Sequence, residues 1–183
     1  MNSIIVNLFG GPGISKSTTA AGIFSLLKIH SVNCELVSEF AKDLVWEERF
    51  KSLKDQVYIF GKQYHRIWRL VDLVDVIITD SPILLPLVYD KNDKNYFQPL
   101  VKEMFSSFNN LNFLLIRSKK YDPNGRYQNE EEAKQVDNTV EKVLLENKVD
   151  FESITGNYNA INIITERILK LLGKEQEIVF SKK

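Results

Sequence analysis

Short apolar stretches alternate along this chain with longer segments in which apolar residues recur at helical spacing. The first stretch covers residues 3–9 (SIIVNLF) and ends at a glycine-rich loop, and similar stretches lie at residues 34–37, 74–79 and 113–116. A short apolar run bounded by turn residues is typical of a strand buried on both faces. We therefore predict four buried strands, with a weaker fifth strand over residues 151–154.

The segments between these strands have the spacing of amphipathic helices. The predicted helices cover residues 17–30, a segment that begins near residue 40, and residues 55–73, 96–108, 130–145 and 160–172. Because strands and helices alternate, the pattern predicts an α/β fold in which helices cover both faces of a parallel sheet.

The chain shows no internal repeat, low-complexity tract or flexible linker that would divide it. Its 183 residues suit a single domain, which we place over residues 1–173, followed by a charged tail at residues 174–183. Residues 117–130 are polar and include the turn sequence Asp122-Pro123-Asn124-Gly125, so this segment is predicted to form a small lid.

Composition excludes several classes of protein. With 44% hydrophobic and 26% charged residues, the chain is neither collagen-like, nor a coiled-coil rod, nor disordered. Its 24 basic and 24 acidic residues give zero net charge, which disfavours a nucleic acid as the main partner. Cys34 is the only cysteine, which fits a reducing compartment. The first residues lack a signal-peptide pattern, and no apolar run reaches membrane-spanning length. We expect a cytoplasmic protein without a membrane partner.

The most informative segment is residues 10–18 (GGPGISKST), between the first strand and the first helix. It fits the phosphate-loop pattern G-x-x-x-x-G-K-[ST], in which main-chain N–H groups and a helix N-terminus face phosphate oxygens. In this pattern Lys16 reaches the β- and γ-phosphates, and the hydroxyl of Ser17 is a ligand of Mg²⁺. The alternative is a glycine-rich turn that only links strand to helix. The predicted nucleotide contacts are Gly11, Pro12, Gly13, Ile14, Ser15, Lys16, Ser17 and Thr18.

Ser15 departs from the pattern, which has glycine before the lysine. Its side chain would either crowd the phosphate or require a strained backbone, or else its hydroxyl would add a hydrogen bond. The sequence leaves these alternatives open.

Carboxylates follow two of the predicted strands, at the edge of the sheet where ligands collect. Asp80 comes directly after the third strand, where an acid often holds Mg²⁺. Glu39 comes just after the second strand and is a candidate base for an acceptor hydroxyl, with Asp43 one helical turn further along. The alternatives are a turn or capping role for Asp80, and a helix-start acid at Glu39.

Basic residues cluster in and around the predicted lid. Arg117 and Arg126 are the strongest candidates among them for stabilising a transferring phosphoryl group, because a guanidinium matches phosphate in a bidentate way. A solvated, charged surface is the alternative. On the helix over residues 55–73, Gln63 is a candidate for reading an acceptor base, beside a stripe of Phe60, Tyr64 and Trp68 that is more typical of a core.

Taken together, these motifs resemble the P-loop kinase superfamily of small nucleoside and nucleotide kinases, over residues 4–145. The closest likeness is to AAA-labelled domains similar to nicotinamide riboside kinase and to phage nucleotide kinases. The resemblance is carried by residues 10–18, by Glu39-Phe40-Ala41-Lys42, by Thr79-Asp80-Ser81-Pro82, and by Gly125-Arg126 followed by a helix with Glu131, Ala133 and Asp137.

The resemblance implies a three-layer α/β/α fold with strand order 2-3-1-4-5, in which Asp80 lies beside the phosphate loop. It also implies ATP with Mg²⁺, a general-base carboxylate at Glu39, and a lid arginine at Arg126. Lys42 stands where such kinases often carry arginine.

We therefore expect a phosphotransferase that moves the γ-phosphoryl group of ATP onto a nucleoside or nucleotide. Lys16, Glu39, Asp80 and Arg126 are the predicted catalytic residues, Ser17 and Asp80 the metal ligands, and Glu39, Asp43 and Gln63 the acceptor-binding residues. One alternative is a kinase that acts on nucleic acid ends or modified bases, and another is a nucleotide-binding switch with little turnover. The sequence does not indicate an oligomeric state.

Overall fold

The fold is built on one parallel sheet, seen in a computed structural model that describes residues 3–90, 95–118 and 130–174. The strands are β1 (Ile4–Phe9), β2 (Cys34–Val37), β3 (Val76–Thr79), β4 (Asn109–Ile116) and β5 (Glu152–Thr155). They pair in the order β2-β3-β1-β4-β5, and every pair is parallel. The α/β class and the expected strand order are therefore confirmed.

Eight helices connect the strands within the described residues. They are α1 (Lys16–Ile29), α2 (Phe40–Trp46), α3 (Phe50–Leu53), α4 (Gln56–Trp68), α5 (Pro86–Tyr89), α6 (Phe97–Ser106), α7 (Glu130–Glu146) and α8 (Asn159–Leu171). Among the described residues, no helix is both long enough and apolar enough to cross a membrane.

The sheet separates two hydrophobic cores, because successive side chains of a strand point to opposite faces. In β1, Val6 and Leu8 join the core under α1 and α8, whereas Ile5 and Phe9 join the core under α4, α6 and α7. Because the side chains on both faces of β1 lie in a hydrophobic core, its sequence is a nearly continuous apolar run.

The predicted helix over residues 55–73 is shorter in the structure, because α4 ends at Trp68 and turns follow. Its aromatic stripe is only partly core. Phe60 is 5% exposed, but Trp68 is 51% exposed, so the prediction of a core position is wrong for Trp68. It lies at the last turn of the helix, where its ring stacks on His65 of the same helix and about half of the residue is exposed.

The strand β4 begins four residues before the predicted start, at Asn109. Its polar first half pairs with β1, and Asn7 lies opposite Asn112. Backbone pairing with a central strand extends β4 through residues that a hydrophobicity pattern assigns to a loop. The predicted lid and tail lie almost entirely outside the described residues, and the one-domain assignment stays a prediction.

Candidate functional site

The glycine-rich loop leaves the carboxyl end of β1 and turns into the N-terminus of α1. Three of its residues have positive φ: Gly10 at 139°, Gly13 at 81° and Ser15 at 71°. Within the described part of the chain, the N–H groups of Gly13, Ile14 and Ser15 have no protein acceptor. Such a run of main-chain donors, next to the positive end of a helix dipole, forms a concave site for an anion.

Ser15 takes up the backbone conformation that the missing glycine would supply. Its φ of 71° and ψ of 19° are left-handed, and its side chain makes no capping hydrogen bond to α1. A left-handed conformation costs an L-residue about 1–2 kcal/mol. Of the alternatives left open by the sequence, a strained backbone is therefore the one observed.

We predict that Ser15→Gly raises the free energy of unfolding by about 0.5–1 kcal/mol, since the relieved strain exceeds the extra entropy of an unfolded glycine. Urea denaturation measures the change. Ser31→Gly is the matched control, because Ser31 also has a positive φ, of 53°, but lies outside the loop. A loss of stability in Ser15→Gly, with a gain in the control, would contradict strain at this position.

Lys16 begins α1, and its ammonium group folds back over the loop. The Nζ atom donates to the carbonyl oxygens of Gly10 at 2.7 Å and Gly11 at 2.8 Å. Burial raises the pKa of Glu39, and the charge of Lys16 opposes that rise, so the ammonium is within electrostatic reach of the carboxylate. The loop lysine thus contacts the start of the loop and interacts electrostatically with an acid of the site.

Asp80 follows β3, which is the direct neighbour of β1, with Asn7 opposite Thr79. The side chain is only 5% exposed, and its Oδ1 atom is buried with no hydrogen-bond partner among the described residues. A buried carboxylate oxygen without a partner is costly unless a cation or donor reaches it. Asp80 therefore fits a hard cation such as Mg²⁺, which prefers oxygen ligands.

Protein groups alone do not complete a metal site here. Within residues 3–90, 95–118 and 130–174, no group of three or more His, Cys, Asp or Glu side chains is placed to hold a metal ion. Mg²⁺ is usually held by one or two protein ligands together with phosphate oxygens and water, so Asp80 and the exposed Ser17 at the start of α1 fit this mode.

Glu39 stands at the N-cap of α2, yet its carboxylate makes no capping hydrogen bond. Burial raises the pKa of Glu39, and the neighbouring charge of Asp80 raises it further. The positive charges of Lys16 and Lys42 act in the opposite direction. A carboxylate that is not used by the helix and holds a proton more readily than usual suits a general base.

Gln63 is 1% exposed, and its amide is bonded within the protein. Its Oε1 accepts from the N–H of Phe40 at 3.0 Å, while Nε2 donates to the carbonyl of Ser38 at 3.4 Å and to Oγ1 of Thr79 at 3.3 Å. These bonds hold both neighbours of Glu39 against the end of β3. The amide of Gln63 therefore joins the backbone on both sides of Glu39 to the end of β3, and its contact with an acceptor base stays a prediction.

Asp43 is half-buried and is paired with Arg66 of α4. The two side chains meet at 2.7 Å, and Arg66 also donates to the carbonyl of Ser38 at 3.2 Å. The guanidinium carbon lies 5.1 Å from the centre of the Phe40 ring. The structure thus places Asp43 beside Glu39 on α2, as the sequence predicts, and adds a cation that the sequence did not point to.

Arg117 lies directly after β4 and next to the loop. Its Nη2 atom donates to the carbonyl of Pro12 at 2.8 Å, and the side chain is paired with Asp137 of α7. Arg126 and the rest of the basic cluster lie outside the described residues. Of the two predicted phosphate-binding arginines, the structure describes Arg117, which contacts the loop backbone.

Asp137 and Tyr89 are two further residues of the site, to which the sequence pattern gives no role. Asp137 accepts a hydrogen bond from the N–H of Gly11 at 2.8 Å, although the two residues are 126 positions apart. Burial raises the pKa of the Tyr89 phenol, and the charges of Glu39 and Asp137 raise it further, so Tyr89 at the end of α5 also borders the site. The signal for Asp137 in the sequence was its place in the predicted helix after the lid, among the residues that carry the family resemblance.

Comparison with known proteins adds a family and a fold. A family model described as an AAA domain matches residues 5–160. The crystal structure of a NadR protein in complex with NR is similar with a TM-score of 0.67 and 18% sequence identity, covering 90% of this chain and 51% of that chain. This chain thus spans about half the length of that NadR chain.

A second solved structure, thymidylate kinase from Ehrlichia chaffeensis, has a TM-score of 0.60 and 16% identity, covering 94% of this chain and 100% of that one. No curated protein sequence matches the chain. At these identities the two solved structures establish the fold. Because the family model matches most of the chain, the protein belongs to the AAA domain family, and its fold is that of the P-loop nucleotide kinases.

Proposed function

We propose that this protein is an ATP-dependent phosphotransferase that acts on a nucleoside or nucleotide. The observation that carries the proposal is the arrangement at one edge of the sheet. The loop offers N–H groups that have no acceptor among the described residues, and the charge of the Lys16 ammonium acts on Glu39. The carboxylates of Asp80 and Glu39 follow β3 and β2 of the same sheet. Phosphoryl transfer is catalysed mainly by such positioning and charge stabilisation.

The loop would bind the β- and γ-phosphates of ATP through the N–H groups of Gly13, Ile14 and Ser15. Lys16 would exchange the carbonyls of Gly10 and Gly11 for phosphate oxygens, because a charge-assisted bond to phosphate is stronger than one to a neutral carbonyl. The ammonium then lies where negative charge accumulates on the transferring group.

Asp80 and Ser17 would hold Mg²⁺ together with the phosphates. When bound, the metal ion neutralises charge on the β- and γ-phosphate oxygens. The unpartnered Oδ1 of Asp80 supports this assignment, since the same atom buried without any partner would destabilise the fold.

The oxygen of the acceptor hydroxyl would attack the γ-phosphorus, while Glu39 accepts the proton of that hydroxyl. The bond between that phosphorus and the bridging oxygen breaks, and ADP leaves. We also propose that Arg126 stabilises the charge on the transferring group and that Asp43 borders the acceptor. The proposal of a small acceptor is supported by neighbours named as a NadR protein in complex with NR and a thymidylate kinase.

The proposal is tested by incubating the protein with ATP, Mg²⁺ and a panel of nucleosides and nucleoside monophosphates, with products read by mass spectrometry. We expect at least one acceptor to gain one phosphoryl group while ADP forms in equal amount. Tight ATP binding without acceptor-stimulated turnover would contradict a kinase and favour a nucleotide-binding switch. Phosphorylation of oligonucleotides only, with strongly salt-dependent binding, would favour a nucleic acid kinase.

A further inference from the structure

Arg117 and Asp137 form a bidentate ion pair behind the phosphate loop. Arg117 Nε lies 2.7 Å from Asp137 Oδ2, and Nη2 lies 3.1 Å from Oδ1. The side chains are only 12% and 22% exposed, so solvent screens them far less than the surface pairs of this protein. One partner follows β4 and the other lies in α7, so the pair joins two elements at the loop.

Both partners also bind the loop backbone, Asp137 as a hydrogen-bond acceptor and Arg117 as a donor. Asp137 Oδ1 accepts from the N–H of Gly11 at 2.8 Å, and Arg117 Nη2 donates to the carbonyl of Pro12 at 2.8 Å. A Cβ atom on Gly11 would clash with Asp137 Oδ1 and lie 2.9 Å from the carbonyl oxygen of Ala133. Only glycine at this position lets α7 approach so closely.

The pair therefore fixes the first half of the loop and leaves the second half to bind a ligand. Gly11 and Pro12 are held by the pair, whereas the N–H groups of Gly13, Ile14 and Ser15 have no acceptor in the described part of the chain. Donor groups that point the same way repel one another, so they stay aligned only if neighbouring structure holds them.

We propose that the ion pair of Arg117 and Asp137, called the latch below, holds the phosphate-binding N–H groups in their binding orientation before the nucleotide binds. They are positioning residues, which act through the backbone of Gly11 and Pro12. This assigns Arg117 a positioning role, because its Nε and Nη2 atoms are already used by Asp137 and Pro12. Its Nη1 atom is buried without a hydrogen-bond partner among the described residues, so the variants below also test direct phosphate contact. The inference rests on the proposed function, since it presumes that the loop binds a polyphosphate.

The test compares Arg117→Met, Asp137→Asn and the double variant in the full chain, with calorimetric titration of ATP and of tripolyphosphate, which has no base. We expect each single variant to weaken both ligands about tenfold, because binding must then order the loop. The double variant should be no weaker than either single variant, since the pair acts as a unit. It also leaves no buried charge unpaired, so it serves as the folded reference should a single variant unfold.

Hydrogen exchange of the ligand-free protein gives an independent readout. The N–H of Gly11 should exchange faster in Asp137→Asn and in the double variant than in the wild type, because the acceptor at residue 137 loses its charge and its fixed orientation. Arg167→Met is the matched control. The Nε atom of Arg167 also donates to a carboxylate, that of Glu152 at 3.2 Å, but this pair lies on the surface and does not contact the loop. It should bind both ligands as the wild type does.

The results separate the latch from its rivals. If Arg117→Met weakens ATP while Asp137→Asn leaves both affinities and the exchange of Gly11 unchanged, Arg117 contacts phosphate directly and the latch is refuted. Wild-type affinities in all variants would refute it equally. If the wild type itself bound neither ATP nor tripolyphosphate, the proposed function would fail instead.

Discussion

Replacing Lys16 by alanine should lower acceptor-dependent phosphoryl transfer by at least about 10²–10³-fold. The Lys16 ammonium is the loop's own cation, and its charge acts on the carboxylate of Glu39. Without it, the negative charge that develops on the transferring group loses the counter-charge that the loop supplies. The rate is measured with a saturating acceptor identified in the nucleoside panel.

The fold should survive this change. Hydrogen bonds of a charged group contribute about 1.5–3 kcal/mol each, and those of the half-buried Lys16 to Gly10 and Gly11 should fall at the low end of this range, below the stability of a typical domain. The alanine side chain also fits a helix well. Circular dichroism and urea denaturation check this. Lys28→Ala, on the same helix but in an exposed pair with Glu35, is the matched control and should keep full activity. Normal transfer by Lys16→Ala would refute the assignment of the loop as the catalytic phosphate site.

Replacing Glu39 by glutamine should lower the transfer rate about 10²–10⁴-fold, the usual contribution of a general base. The wild-type rate should fall as the pH drops through the raised pKa of Glu39, because only the ionised carboxylate accepts a proton. In Glu39→Gln this fall of the rate at low pH should disappear. A pH–rate profile of both proteins measures the effect, and an unchanged fall in the variant would assign the titration to another group.

The same substitution should increase stability, in a pH-dependent way. Burial raises the pKa of Glu39 in the folded protein above its unfolded value, so the folded state favours the protonated form. The stabilisation that protonated Glu39 provides is fully present below the pKa of Glu39 in the unfolded chain. It is lost as the pH rises through the pKa of Glu39 in the folded protein. Glutamine does not ionise, so the gain in free energy of unfolding should be larger near pH 8 than near pH 4.

Glu141→Gln, on the exposed face of α7, controls for the loss of a charge as such. It should change neither the pH–rate profile nor the difference in stability between pH 4 and pH 8. A stability gain of equal size in both variants would show that net charge, rather than the environment of Glu39, is responsible.

The loop and the strands were predictable because their signals are local. The phosphate-loop geometry depends on a few residues that tolerate positive φ, and these follow one another between residues 10 and 15. The apolar runs of β1 and β3 mark strands buried on both faces, and Asp80 follows one of them directly. Each of these inferences needs only neighbours along the chain.

The contacts of Gln63 and Arg117 were not predictable in this way. Gln63 appeared as a polar residue beside an aromatic stripe, but the amide is used by Phe40, Ser38 and Thr79, which come from two other parts of the chain. Arg117 appeared as one cation among several in a polar loop, and its partner lies 20 residues further on in α7. Hydrophobic periodicity carries no information about which polar groups will meet.

By itself, the sequence determined that this protein has a parallel α/β sheet, a glycine-rich loop after the first strand, and acids after the second and third strands. Only the tertiary structure decided that Asp137 reaches Gly11 over 126 positions, that Oδ1 of Asp80 is buried without a partner among the described residues, and that burial raises the pKa of Glu39. The physical reason is the range of the interactions. Backbone conformation and strand burial are fixed by adjacent residues, whereas hydrogen-bond partners and desolvation depend on elements that are brought together only by folding.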